Sequence, residues 1–81
     1  MNAPVRFNSV ACYVVQHDHN PTMFLDCQSP TGDPTGWWTH DIEKAYRFAS
    51  QGDALRWLNN WRNGKGYVLP CIMHRGRPRV A

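Results

Sequence analysis

Residues 50–63 are Ser-Gln-Gly-Asp-Ala-Leu-Arg-Trp-Leu-Asn-Asn-Trp-Arg-Asn, and they carry the clearest helix signal in this chain. The Ser50 hydroxyl can accept the amide hydrogen of Asp53, which is a common way for a helix to begin. Apolar residues then recur at helical spacing and predict one buried face: Ala54, Trp57, Leu58 and Trp61. Asn63 and Gly64 both tolerate the left-handed conformation, so we expect the helix to end there.

Two strands are expected before this helix and one after it. Residues 10–16 are rich in β-branched and aromatic side chains, which favour a buried strand. Asn20-Pro21 favours a turn, so residues 22–28 should return as the second strand of a hairpin. Residues 66–74 predict the last strand. Because Pro70 lacks an amide hydrogen, we expect this strand at a sheet edge or at a bulge.

Residues 29–49 connect the second strand to the helix. Two prolines and two glycines make residues 29–36 a loop. After Thr39, a possible N-cap, the apolar residues fall at i, i+3, i+4 and i+7: Ile42, Ala45, Tyr46 and Ala49. This spacing favours a short helix. The alternative is a single helical turn at 40–45 followed by an extended stretch at 46–49.

The order strand, strand, helix, helix, strand predicts one small α+β domain. We expect an antiparallel sheet of about three strands, with a short and a longer helix packed on one face. With 81 residues the chain can bury only a small core. We assign residues 1–74 to the domain and residues 75–81, which contain Gly76 and Pro78, to a flexible basic tail.

The net charge of +3 is concentrated at the end of the chain. Residues 1–73 hold six basic and six acidic side chains, so the excess comes from Arg75, Arg77 and Arg79. Affinity for a phosphate backbone grows with the number of phosphates neutralised. Three arginines can contribute to such binding but are seldom sufficient for it.

The three cysteines are far apart in the sequence, which argues against a disulfide framework. We expect Cys12, Cys27 and Cys71 to be small buried apolar residues in a reducing compartment. The start of the chain does not resemble a signal peptide, and no stretch has the roughly 20 apolar residues of a membrane span. The prediction is a cytoplasmic protein without a membrane partner.

The sequence offers little for catalysis. His17 and His19 could reach one metal ion with Cys27, but stable sites use three or four ligands and no second cluster has ligand spacing. Ser50 is explained as a helix cap, and Asp41 and Glu43 point to different helical faces. We therefore expect no catalytic residues, no metal and no cofactor, and a protein that is not an enzyme.

Tryptophan and arginine are the side chains over-represented in binding hot spots. We expect Trp57 and Trp61 to fill the core, and Trp37 or Trp38, after the proline-rich loop, to offer an exposed contact. The candidate partner-binding residues are Trp37, Trp38, Arg47, Arg56, Arg62, Arg75, Arg77 and Arg79.

One longer pattern carries a resemblance. Trp38-x2-Asp41-Ile42-x2-Ala45-x2-Phe48-x-Ser50-x2-Asp53-Ala54, after Tyr13-Val14-Val15 and Phe24-Leu25, resembles small proteins of phages and other mobile elements, a population that includes anti-CRISPR inhibitors. The resemblance implies a protein that blocks a host defence complex by binding a host protein or ribonucleoprotein in the host cytoplasm. The alternative hypothesis is a small nucleic-acid-binding module that uses the basic tail and aromatic residues.

Overall fold

A computed structural model describes residues 10–28 and 37–81 of the chain. The described part forms a five-stranded antiparallel sheet, in the order β3-β2-β1-β4-β5, with one α-helix. The elements are β1 (Cys12–Gln16), β2 (Phe24–Leu25), β3 (Trp38–Thr39), a 3-10 helix (Ile42–Lys44), α1 (Gln51–Arg62), β4 (Tyr67–His74) and β5 (Arg77–Val80).

The predicted fold class is therefore wrong. We expected about three strands with a short and a longer helix on one face, and the described residues form a larger sheet with a single α-helix. Three segments account for the difference. Trp38–Thr39 forms the added strand β3, residues 40–49 lack the predicted short helix, and the end of the chain after His74 forms β5. The predicted loop at 29–36 lies outside the described residues.

Residues 39–49 do not form the short helix that we favoured. The Asp41 carboxylate accepts the Glu43 amide hydrogen at 2.9 Å, and this cap starts one 3-10 turn. The chain is already extended at Ala45, with ψ 145°. It then pairs with the sheet, because Ala45 bridges to Asp26 of the hairpin and Phe48 bridges to Tyr13 of β1. The structure therefore agrees with the alternative of one turn and an extended stretch.

The end of the chain is a strand and not the flexible tail that we expected. Arg75 and Gly76 have φ of 54° and 78°, the positive values that a two-residue hairpin turn requires. This turn returns the chain along β4, so that β5 pairs with β4 from His74↔Arg77 to Cys71↔Val80. The domain consequently continues past His74 to the end of β5.

Pro70 lies in an interior strand, contrary to our expectation of a sheet edge or a bulge. Its partner on β1 is Tyr13, whose amide and carbonyl both bond Phe48 at 2.8 Å instead of β4. The backbone nitrogen and carbonyl of Pro70 therefore face β5 and not β1. They lie beside the end of β5, where the Ala81 amide donates to the Pro70 carbonyl at 2.9 Å. A proline is tolerated here because the ladder ends beside it.

Helix α1 begins and ends as predicted. The Ser50 hydroxyl accepts the Asp53 amide hydrogen at 3.1 Å, and Asn63, with φ 54°, is the left-handed C-cap. The buried face contains Ala54, Trp57 and Leu58. Trp61 was expected in the core but is 37% exposed, because the last helical turn lies beyond the cluster that Trp57 joins.

The sheet has buried residues on both faces. One cluster lies between the sheet and α1: Val15, Leu25, Phe48, Ala54, Trp57 and Leu58. The second lies on the opposite face, against Ile42 of the 3-10 helix: Cys12, Val14, Ala45 and Cys71. Cys12 and Cys71 are buried as predicted. Cys27 is exposed, contrary to prediction, because it lies in the turn after β2.

Candidate macromolecule-binding surfaces

The first candidate surface is the β4–β5 turn and its flanking residues, 74–79, which we call the arginine hairpin. Its three arginines were predicted on a mobile tail, whereas the structure places Arg77 and Arg79 in a strand and Arg75 in the tight turn. Residues 77 and 79 alternate along β5 and therefore project from the same face of the sheet. The ladder thus holds the arginine backbones at fixed spacing.

Within residues 10–28 and 37–81, the charge of the arginine hairpin is only partly compensated. The Arg77 Nε lies 3.6 Å from the Glu43 Oε2, and these side chains are 77% and 49% exposed. An exposed ion pair of this kind contributes about 0–1 kcal/mol, so it can be replaced by a partner carboxylate or phosphate at little cost. A groove of about 470 Å³ runs between them, lined by Glu43, His74, Arg75, Arg77, Pro78 and Arg79.

Pro78 determines how this edge of the sheet can be recognised. The pair His74↔Arg77 closes a two-residue turn and exchanges hydrogen bonds, so the backbone nitrogen of the next residue, Pro78, faces away from β4. A proline nitrogen carries no hydrogen, and an added strand would find no donor there. Strand addition is therefore disfavoured at Pro78, and recognition at this point of the edge would depend on side chains.

The second candidate surface is a groove at the start of α1, which we call the helix-start groove. It has a volume of about 460 Å³ and is lined by Tyr46, Arg47, Phe48, Ala49, Asp53, Arg56, Trp57 and Asn60. Its rings are in mutual contact, with centroids 4.7 Å apart for Tyr46–Phe48 and 6.5 Å for Phe48–Trp57. Arg56 Nη1 lies 3.0 Å from the Asp53 carboxylate. This groove brings together two predicted partner residues, Arg47 and Arg56.

Arg62 and Trp38 belong to a third group, the Asp18 cluster, with His17 and His19. Arg62 lies with its guanidinium carbon 5.0 Å from the centre of the Trp38 ring, and its Nη2 is 3.3 Å from the Asp18 carboxylate. Its Nε also donates to the Lys65 carbonyl at 3.1 Å. At 17% side-chain exposure, Arg62 is committed to contacts within the chain, which hold the β1–β2 turn against the end of α1.

The Asp18 carboxylate is surrounded by positive or protonatable groups. Partial burial acts to raise the pKa of Asp18. The charge of His19, a backbone hydrogen bond, and the charges of Arg62 and His17 outweigh that effect, so the pKa is lowered below its ordinary value. His17 and His19 lie 3.3 Å and 3.4 Å from this carboxylate. The fold therefore favours the ionised form.

The eight predicted partner residues do not form one site. Trp37 is 54% exposed and directly precedes β3, at the sheet edge opposite the arginine hairpin. Four strand spacings alone put about 19 Å between these two edges of the sheet. The predicted residues are thus divided among this edge, the Asp18 cluster, the helix-start groove and the arginine hairpin.

Sequence reasoning missed His74 and Glu43 as members of the arginine hairpin groove. Neither residue was among the candidate partner-binding residues that the sequence indicated. The sequence did contain a signal that could have placed His74. Arg75-Gly76 lies between two stretches able to form strands, and an Xaa-Gly pair is typical of a two-residue hairpin turn, which would make His74 the partner of Arg77. No local signal identified Glu43, because its contact with Arg77 crosses 34 residues of chain.

Within residues 10–28 and 37–81, there is no group of three or more His, Cys, Asp or Glu side chains that could hold a metal ion. None of the helices in this part of the chain is long and apolar enough to cross a membrane. Comparisons with protein-family models, with curated proteins and with solved structures each returned no match for this chain.

Proposed function

We propose that this protein is a non-enzymatic binding protein that docks on an acidic surface of a host protein or ribonucleoprotein through the arginine hairpin. The observation that carries the proposal is the ordered presentation of Arg75, Arg77 and Arg79 on a two-stranded edge with Glu43 as a weak internal counter-charge. Arginine combines a planar charge with several fixed donors, which suits carboxylate and phosphate recognition.

The backbone of this hairpin supports the proposal energetically. Binding is weakened by the ordering of mobile segments, and a segment already held in a ladder loses less freedom on docking than a tail would. Pro78 at the outer edge disfavours strand addition, so side-chain contacts would carry the interaction. The resemblance of the Trp38 to Ala54 pattern to small phage proteins is the reason for proposing that the docked partner is a host defence complex and that the protein inhibits it.

A nucleic-acid-binding module is the second candidate function. The alternation of Arg77 and Arg79 along β5 spaces their Cα atoms about 7 Å apart, so each guanidinium could contact a different phosphate of one strand. The two functions differ in their salt response. Several phosphate contacts make affinity fall steeply between about 50 and 200 mM salt, and the loss scales with the number of contacts.

The test replaces Arg75, Arg77 and Arg79 by glutamine together, with Arg56→Gln as a matched control at another exposed arginine. Truncation after His74 is unsuitable because it would remove β5. Affinity purification of each variant from lysate of the native host, with and without nuclease, should recover a partner complex that the triple variant loses and the control keeps.

The outcomes separate the two candidates. Partner recovery that survives nuclease and depends on the three arginines supports protein docking. Recovery lost on nuclease treatment, with oligonucleotide binding that weakens as salt is raised, supports the nucleic-acid module. Equal recovery with the triple variant and the wild type would show that the arginine hairpin is not the docking surface.

A further inference from the structure

Two of the cysteines face each other across the sheet. Cys12 of β1 and Cys71 of β4 are directly opposite partners in the antiparallel pairing of these strands. Both side chains lie on the face away from α1, in the cluster with Val14 and Ala45. They are 7% and 0% exposed, whereas the third cysteine, Cys27, is exposed.

The separation of opposite residues suits a disulfide. Directly opposite residues of antiparallel strands have Cα atoms about 4.5–5.5 Å apart, inside the roughly 4.4–6.8 Å range of disulfide bridges. Both cysteines also belong to the same buried cluster, so their side chains lie on the same face of the sheet. The native register therefore brings the two cysteines to the backbone spacing that a disulfide requires.

We propose that Cys12 and Cys71 form a redox modification site, in which a small-molecule disulfide such as oxidised glutathione converts the pair into a cross-strand disulfide. The inference is independent of the proposed docking function, because this face lies away from α1 and involves none of the hairpin arginines.

The reaction proceeds by two exchanges. The Cys12 thiolate attacks one sulfur of oxidised glutathione, forms a mixed disulfide and releases one glutathione thiolate. Cys71 then loses its proton, attacks the Cys12 sulfur and releases the second glutathione. Two protein thiols thus lose two electrons and two protons, and one glutathione disulfide is reduced to two thiols.

The surroundings assign the first attack to Cys12. Burial and the neighbouring thiol raise the pKa of Cys71 to about 11, so it is protonated in the folded protein at neutral pH. Cys12 is the first residue of β1, where local opening of a strand end can expose it. The positive charge of Arg47 favours the Cys71 thiolate in the second step.

The disulfide would join residues 59 positions apart in the sequence, since 71 minus 12 is 59. A loop of that length removes considerable freedom from the unfolded chain. We expect the oxidised protein to melt roughly 10–20 °C above the reduced protein. The bond would also hold β1 on β4, the most extensively paired strands of the sheet.

The experiment uses the full chain carrying Cys27→Ser, which removes the exposed thiol and keeps the buried pair. Reduced native protein and reduced unfolded protein are both brought to equilibrium in a glutathione buffer in which oxidised glutathione is in excess. Two starting states are used because access to buried thiols in the native protein can be slow, whereas the thiols of the unfolded protein are accessible from the start. Mass spectrometry of the intact chain and of its peptides then identifies the bond. The matched control carries Cys12→Ser with Cys27→Ser.

We expect a monomer lighter by two hydrogens, a linked peptide containing Cys12 and Cys71, and the raised melting temperature. The control should give none of these and retain at most a mixed disulfide. Free thiols or only mixed disulfides in the Cys27→Ser protein from both starting states would overturn the proposal. A melting temperature lowered by the bond would show that the native register does not accommodate it, and would overturn the proposal too.

Discussion

Gly66 offers a sharp test of how α1 and the sheet are joined. It lies directly before β4, with φ 147°, and a Cβ atom built there would be 2.8 Å from Leu58 Cδ2. The same atom would be 3.2 Å from the carbonyl oxygen of Gln16. Leu58 is only 2% exposed and packs in the core, so it cannot move away freely. Gly66→Ala should therefore strain both the helix and the sheet.

The expected loss of stability has two sources. A non-glycine residue at this φ costs about 1–3 kcal/mol, and forcing an extra methyl group into a packed core costs about 1–3 kcal/mol more. Their sum is about 2–6 kcal/mol. A domain of 81 residues has a total stability of roughly 4–12 kcal/mol, so this single methyl group would remove a large part of it.

Gly76→Ala is the matched control. Gly76 also has a positive φ, 78°, but a Cβ atom there would meet nothing within 4 Å. The control should lose only the backbone part, about 1–2 kcal/mol. Urea denaturation followed by circular dichroism gives both free energies of unfolding, and the m-values verify that the transitions are comparable.

The difference between the two variants measures the close approach of Leu58 and Gln16 to Gly66. We expect Gly66→Ala to be the less stable by about 1–3 kcal/mol. Equal losses of stability in the two variants would refute the reasoning, because the backbone term alone would then account for both. A Gly66→Ala protein as stable as the wild type would contradict the positive φ as well.

Three further changes test other parts of the fold. Ser50→Ala should lower the free energy of unfolding by about 1 kcal/mol, because the Asp53 amide loses its acceptor; a loss below the error of urea denaturation would contradict the capping role. The lowered pKa of Asp18 favours its ionised form in the folded state, so its contribution is present above its ordinary pKa and lost as pH falls below about 4. Denaturation at pH 5 and pH 3 should show a steeper loss for the wild type than for Asp18→Asn, and parallel losses would count against the cluster. Because burial raises the pKa of Cys71 to about 11, the wild type should lose stability from about pH 9 to pH 11, and Cys71→Ala should lose less over that interval.

The helix could be read directly from residues 50–63. Its cap, its apolar spacing and its left-handed end all depend on residues a few positions apart, and such local interactions act whatever the rest of the chain does. The first strand was equally readable, since it contains three consecutive aromatic or β-branched residues, Tyr13, Val14 and Val15.

Residues 39–49 show where local pattern fails. Their apolar residues fit both a helix and an extended chain, and the choice was made by partners far away in sequence. Tyr13 of β1 offered its free amide and carbonyl to Phe48, and Leu25 accepted the Tyr46 amide hydrogen at 2.7 Å. Backbone hydrogen-bonding groups left open on β1 and β2 therefore overrode helical spacing.

The candidate surfaces depended even more on the tertiary arrangement. Composition placed the excess positive charge at Arg75, Arg77 and Arg79, but β4 was needed as a template to turn that segment into an ordered hairpin beside Glu43. The meeting of Cys12 with Cys71 required the register between β1 and β4. Charge and helix caps are properties of neighbouring residues, whereas strand partners and facing side chains exist only once distant segments have packed together.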